Sequence, residues 1–301
     1  MKFLKQLYRS ILPYSFRVKM REIRHNYDLK VLRKKILRYF SELPKEKITD
    51  EQLQVIDYLK NNKVCTFPYD YQFTYNPEDI KVYKDNTLNM NYVLLDNKRL
   101  YFKRSWDQSM IKSYYNLLLI EQDIRSPHLY LTDNFYVGDD SIIADIGVAE
   151  GNFSLSVIEK AKKIYLFETN EEWIEALEAT FAPWKSKVNI INKYVSDKND
   201  SENVSLDFFL KDKERVDFLK IDVDGAEEVV LKGCENLLKN EKGVKVALCT
   251  YHQQNDEKHF AELLNNIGFS VSPSNGYMIF YNHGFNLEPP YLRRGLIRAT
   301  K

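Results

Sequence analysis

The chain is poor in cysteine and lacks any long apolar run, and each shortage removes a class of protein. Cys65, Cys234 and Cys249 are odd in number and stand in unrelated contexts, which argues against a disulfide framework and for reduced thiols in a cytoplasm. No apolar stretch nears the roughly 20 residues of a membrane span, and the start lacks a signal-peptide apolar region, so export is not expected. Net charge is almost absent as well, at +1, and there is neither an internal repeat nor a low-complexity segment. What is present is 301 residues with an apolar fraction of 44%, enough for one large domain or a core domain with an accessory one.

The near-zero charge hides a division. Residues 1–40 hold twelve Lys/Arg and two acids, about +10, which leaves the remainder near −9. Phe3, Leu4, Leu7, Tyr8, Ile11 and Leu12 share one helical face flanked by Lys5 and Arg9, and Pro13 should break that helix. Leu29, Leu32, Ile36 and Phe40 then recur against Arg33, Lys34, Lys35 and Arg38. Basic amphipathic segments of this kind suit an anionic membrane surface, so peripheral attachment to the inner face of the membrane is expected; the alternative is that they pack on the rest of the protein and solvate their charges. No Arg-rich or aromatic nucleic-acid motif accompanies the charge, so nucleic acid is not an expected partner.

Residues 41–135 read as an accessory cap. They contain the aromatic stretch Phe67–Tyr75, a hairpin in which Tyr92–Leu95 and Leu100–Phe102 flank the turn residues Asp96 and Asn97, and a helix over Met110–Ile120. The aromatics could stack on a sugar or belong to the core. From 136 to 301 the rhythm changes to alternating strands and helices, the mark of an α/β fold with a mostly parallel sheet. Strands are expected near Ser141–Ile146, Lys163–Phe167, Val188–Asn192, Asp217–Val223 and Val244–Tyr251, with closing strands at Phe269–Val271, Tyr277–Tyr281 and Leu292–Ala299.

Two segments carry the chemistry. In Asp145-Ile-Gly147-Val-Ala-Glu-Gly151 a buried strand ends in an acid, and two glycines bracket the turn into a helix. The third glycine of the pyrophosphate fingerprint is missing. S-adenosylmethionine (SAM) has no phosphate and does not need that cradle. Glu168 follows Gly147 by 21 residues at the end of the next strand, where a carboxylate can accept hydrogen bonds from ribose hydroxyls. Asn152 is either a ligand contact or a helix cap. In Lys220-Ile-Asp222-Val-Asp224-Gly225-Ala-Glu227, Asp222 and Asp224 reach the mouth of the same crevice, and Asp224 with Glu227 also has capping-box spacing before a helix over Val229–Leu238. Tyr251 and His252 leave the fifth strand, where the imidazole is placed to act as a general base. No His/Cys ligand spacing points to a metal.

The second segment, Phe218–Glu227 with Val229-Val-Leu-Lys-Gly233, resembles the signature of the FkbM family of SAM-dependent methyltransferases, and the resemblance runs over about Ser141–Ser272. Val195-Ser196-Asp197 looks like that family's turn beside the adenine. Ala149, Asp224 and Thr169 stand where the family usually has Asn, Glu and Pro. The resemblance implies a class I SAM-methyltransferase fold, Rossmann-like with a seven-stranded sheet, and methyl transfer to an oxygen of a glycan, a lipid-linked sugar or another biosynthetic precursor. The sites expected are then Asp145, Gly147, Gly151, Asn152, Glu168, Asp197 and Asp222 for SAM; His252, Asp222 and Lys220 for catalysis; and Asp224, Glu227 and Tyr251 for the acceptor. Two rivals differ in class: a nucleotide-dependent oxidoreductase on the same fold, and a non-catalytic binding module with a degenerate site.

Overall fold

The structure, a computed structural model, describes residues 14–281 and 287–301. The helix expected over Lys2–Leu12 and its break at Pro13 lie outside the described residues. Helix α1 (Tyr14–Ser41) and helix α2 (Asp50–Asn61) come first. Thr49 caps α2 in a full capping box with Gln52. Ile36, Phe40, Val55 and Leu59 close the core between these helices, and Ile279 and Leu292 from the far end of the chain complete it. The aromatic stretch is mostly core: Phe67 and Tyr71 are buried with Ile120 and Met278, while Phe73 is exposed.

Strands β1 (Tyr83–Asp85), β2 (Met90–Leu95) and β3 (Lys98–Tyr101) form an antiparallel sheet in which β2 and β3 are the expected hairpin. Asp96 and Asn97 turn it with φ of +48° and +63°, a conformation Asp and Asn tolerate. Helix α3 (Gln108–Glu121) follows, capped by Asp107. This region does not stand apart from the rest. Leu100, Phe102 and Ile111 share one continuous core with Ile143, Leu166 and Leu177, and the Tyr101 amide donates to Thr180 Oγ1 at 3.0 Å.

The remainder comprises β4 (Ser141–Ile146), α4 (Asn152–Ser156), β5 (Ala161–Phe167), α5 (Glu171–Phe181), β6 (Val188–Ile191), β7 (Tyr194–Val195), β8 (Asn203–Val204) and α6 (Leu206–Phe209). It continues with β9 (Phe218–Ile221), α7 (Glu227–Gly233), α8 (Glu235–Asn240), β10 (Lys245–Cys249), α9 (Asp256–Asn266), β11 (Ser270–Pro273) and β12 (Leu296–Thr300). The seven-stranded sheet has the order β11-β12-β10-β9-β4-β5-β6, with β12 antiparallel to both of its neighbours and the other pairs parallel. Strands β4 and β9 are buried along their whole length, which is why they read as apolar runs. The chain moves outward from β4 through β5 to β6 and then returns to β9 on the other side of β4. That reversal opens a crevice at the carboxyl ends of β4 and β9.

Two expectations need correction. Tyr277–Tyr281 makes only an isolated bridge, Met278 to Arg293, because the segment leaves the sheet to tie down the amino-terminal helices: Ile279 packs beside Ile36, and its amide donates to the Thr66 carbonyl at 3.0 Å. The helix expected over Val229–Leu238 is two helices broken at Cys234. Gly233 lies so close to another loop that a Cβ there would come within 2.0 Å of the Ser196 carbonyl oxygen.

Candidate functional site

Gly147 ends β4 with φ of +75°, and a Cβ on it would lie 1.9 Å from the Asp222 carbonyl oxygen. Only glycine lets the two turns at the switch point meet this closely. Beside that contact opens a crevice of about 650 Å³, a size proper to a small-molecule site, lined by Gly147, Glu168, Ser196, Asp222, Asp224 and Tyr251 among others.

On one wall Glu168 is fixed by three backbone amides: Ala149 at 2.9 Å and Thr169 and Asn170 at 2.8 Å each. The Thr169 donor would not exist with proline at that position. Ala149 holds φ of +51°, which asparagine accommodates more easily than alanine. Asp224 also holds φ of +51°, and aspartate tolerates it better than the longer glutamate. Phe167, Tyr194 and Val195 add apolar surface to the same wall.

Beneath the floor lies a buried ion pair between neighbours in the β4–β9 register. Lys220 Nζ is 3.2 Å from Asp145 Oδ1 and donates to the Gly147 carbonyl at 2.5 Å, and Asp145 accepts from Ser154 Oγ at 2.7 Å. Burial opposes the charge on Lys220, but Asp145 and Asp222 outweigh it and keep the ammonium protonated.

On the other wall Asp222 accepts from two phenols, Tyr130 at 2.9 Å and Tyr251 at 3.0 Å. A histidine stands on each side: His128 Nε2 is 3.7 Å from Oδ2 and His252 Nε2 is 3.9 Å from Oδ1. Each histidine is backed by a glutamate, Glu121 at 3.2 Å from His128 Nδ1 and Glu227 at 2.9 Å from His252 Nδ1. Burial works against ionising Asp222, yet Lys220 and the two imidazoles hold its pKa below the usual value. Burial likewise disfavours charge on His252, but Asp224, Glu227 and Asp222 raise its pKa to about 9.

The structure therefore sorts the residues marked in the sequence. Gly147, Glu168, Asp222, Asp224 and Tyr251 line the crevice together. Asp145 and Lys220 are buried under it, so Lys220 ties the Gly147 turn instead of meeting an acceptor. His252 is fully buried and cationic at neutral pH, which removes it as a free base. Glu227 is buried behind it, with its carboxylate accepting from the Val223 amide at 3.1 Å; Ala226 is the N-cap of α7, and Asp224 does not cap it. Asn152 turns into a separate, mainly apolar cavity of about 220 Å³ with Leu118, Leu131 and Phe153. Gly151 packs under Leu177 and Phe181, away from the crevice, and Asp197 lies behind Ser196, beside Gly233.

Sequence reasoning missed Glu121, His128, Tyr130 and Glu150. A signal was available for two of them, because His128-Leu129-Tyr130-Leu131 alternates: Leu129 and Leu131 line the apolar cavity while His128 and Tyr130 turn to Asp222. This segment is clipped on by the last strand. Gly295 lies so close that a Cβ would meet the Pro127 carbonyl oxygen at 2.1 Å, and Arg298 donates to the carbonyls of Tyr130, at 3.1 Å, and Leu129.

A sheet of this order, with an acid after its second strand and no phosphate cradle, is that of a class I SAM-dependent methyltransferase domain, and the crevice, lined by Glu168 and Asp222, has the volume for SAM. Residues 142–279 match the family described as the Methyltransferase FkbM domain. No curated protein matches the chain. Among solved structures, the methyltransferase FkbM from Methylobacillus flagellatus KT is similar at 11% identity over 64% of this chain and 53% of its own, with a TM-score of 0.45. This chain thus spans about half of that protein's length. An rRNA methylase from Streptococcus thermophilus is similar at 20% identity over 55% and 89% of the two chains, with a TM-score of 0.37. M. capricolum TrmK, solved with S-adenosyl-homocysteine, is similar at 15% identity over 57% and 69%, also with a TM-score of 0.37.

Proposed function

We propose that the chain transfers a methyl group from SAM to a hydroxyl oxygen of a glycan, a lipid-linked sugar or a related biosynthetic precursor. The observation that carries this reading is the two-sided crevice, with Glu168 presented by backbone amides on one wall and an ionised Asp222 between two phenols on the other. SAM supplies an electrophilic methyl group, so the protein's task is chiefly alignment. Glu168 would hold the ribose hydroxyls, Phe167 and Val195 would flank the adenine, and the Gly147 turn, steadied by Lys220, would support the amino-acid arm. Asp222 would accept the hydrogen bond of the acceptor hydroxyl and receive its proton, with Tyr130 and Tyr251 fixing the carboxylate and His128 and His252 keeping it ionised.

Calorimetry with SAM and with NAD tests the cofactor half. SAM should bind, NAD should not, and Glu168→Ala should weaken SAM by one to two decades, the loss of roughly 1.5–3 kcal/mol of charged hydrogen bonding. Preference for NAD, or unchanged SAM affinity in a folded Glu168→Ala, would reject the assignment. Transfer of label from methyl-labelled SAM to polyol and glycan acceptors, abolished in Asp222→Asn, tests the other half.

A further inference from the structure

The hollow between α1 and α2 collects positive charge that the fold does not use. It has a volume of about 400 Å³ and is lined by Lys30, Arg33 and Lys63, by the amides Asn26, Asn61 and Asn62, and by no acid among the described residues. The acids closest in sequence are occupied elsewhere, Asp28 facing Arg24 at 3.9 Å and Asp57 facing Lys60 at 2.6 Å. Arg33 is held in place, because its Nε and Nη2 donate to the carbonyls of Leu59 and Lys60 in the last turn of α2. Those carbonyls are the negative end of the helix dipole, so the guanidinium offsets the one feature there that would repel an anion. Lys30 and Lys63 are exposed and make neither a side-chain hydrogen bond nor an ion pair among the described residues. A cleft lined by one sign of charge concentrates counter-ions, and this one is lined by cations.

The neighbourhood of the hollow says what such an anion is attached to. Met20, Ile23 and Tyr27 are exposed on α1, and Lys30 continues their spacing of three and four, so the four side chains share one face. The apolar stripe therefore ends at the hollow, with Tyr27 and Lys30 about 4.5 Å apart along the helix axis. A soluble anion has no use for the stripe. At a bilayer surface the two features belong together, because an interfacial helix sinks its apolar face among the acyl chains and meets the phosphates at the level of its cations. The hollow is also roomier than a bare phosphate requires, and its three amides can serve the hydroxyls of a headgroup.

We infer that the hollow between α1 and α2 receives the phosphate of an anionic phospholipid headgroup while Met20, Ile23 and Tyr27 enter the acyl layer. Ile279 and Leu292 join this helix pair to the rest of the molecule, so the sheet is brought to the membrane with it. Lipid binding of this kind is independent of the methyl-transfer reading.

The test is flotation of the full-length protein with phosphatidylcholine vesicles that contain either phosphatidylglycerol or, at matched surface charge, oleate. Tighter binding to the phosphatidylglycerol vesicles is expected. Replacing both lysines, Lys30→Ala with Lys63→Ala, should weaken that binding about thirtyfold, at roughly 1 kcal/mol for each lysine near an anionic surface, and should abolish the preference over oleate. Lys211→Ala with Lys242→Ala removes the same charge from exposed positions after α6 and should keep both the affinity and the preference. Equal binding to the two kinds of vesicle, equal loss in the two double variants, or wild-type binding by Lys30→Ala with Lys63→Ala overturns the site. So does binding of glycerol 1-phosphate in solution as tight as binding to vesicles, which would give the hollow to a soluble phosphate ester. No cofactor or acceptor is present, so failure here leaves the methyltransferase reading standing, and failure of methyl transfer leaves the lipid result standing.

Discussion

Glu150 is an acid that the protein interior keeps from full ionisation. It is buried in the turn after β4, and its carboxylate accepts from Tyr114 Oη at 2.7 Å. Burial raises its pKa to about 7, against an ordinary value of 4.5. An acid whose pKa rises on folding lends stability that is complete below pH 4.5 and is lost as pH climbs through 7; the gap corresponds to roughly 3 kcal/mol. Glu150→Gln keeps an acceptor for Tyr114 and cannot ionise. Its melting temperature should exceed that of the wild type at pH 8 and converge with it near pH 4.5, and parallel melting profiles for the two proteins would refute this. Glu150 escaped the sequence reading because a glutamate between two glycines looks like a solvated turn residue. Its environment comes from Tyr114, 36 residues earlier in the chain. Glu168 was legible for the opposite reason, since strand end, spacing and acid type all lie in one local stretch.

Among the elements, the parallel strands were legible because both of their faces are buried, and the hairpin because Asp and Asn mark its turn. The break between α7 and α8 was not, because its cause is the Ser196 carbonyl pressed against Gly233. Gly233→Ala should therefore cost at least about 2 kcal/mol by overpacking against backbone and should displace the Ser196 turn. Thermal melts and SAM calorimetry would both register the change, and a variant indistinguishable from wild type would show that the turn yields freely. In α1, the half nearer the amino terminus exposes Met20, Ile23 and Tyr27 at 42%, 54% and 65%, spaced three and four apart, beside Lys19, Arg21, Arg24 and Lys30. An apolar stripe among cations is suited to lie on an anionic bilayer. Ile23→Glu should reduce cosedimentation with phosphatidylserine vesicles about tenfold, as loss of one buried aliphatic side chain predicts. Equal sedimentation of the two proteins would remove this stripe from any membrane role.

At the scale of the whole molecule, the region before β4 shares a core with the sheet that follows it. The rings of Phe102 and Trp106 lie 6.4 and 5.1 Å from that of Trp173 on α5. Three of the four hydrophobic cores among the described residues draw on both sides of residue 135, and the fourth, around Ile146, Leu219 and Leu248, lies wholly after it. A fragment of residues 136–301 should lack a cooperative thermal transition by circular dichroism, although it contains the complete seven-stranded sheet. A sharp transition near that of the full chain would show the sheet to be self-sufficient. The same intertwining explains what the sequence concealed about the site: His128 and Tyr130 come from the stretch that reads as a cap, and no local pattern says that it folds back over the switch point. No helix among the described residues is long and apolar enough to cross a membrane.

The clip that Gly295 and Arg298 place on residues 127–130 has a consequence for how such a crevice can diversify. The wall that would receive the cofactor is made from strand ends and their turns, where a change of one residue disturbs the sheet itself. The facing wall is partly a loop fastened by its backbone carbonyls, so its fastening is indifferent to which side chains it carries. The fastening thus survives a change of side chain, whereas His128 and Tyr130 themselves are buried against Asp222 and are constrained by that contact. Under the function proposed above, a change of acceptor would be made in this loop while the strand ends keep hold of the methyl donor.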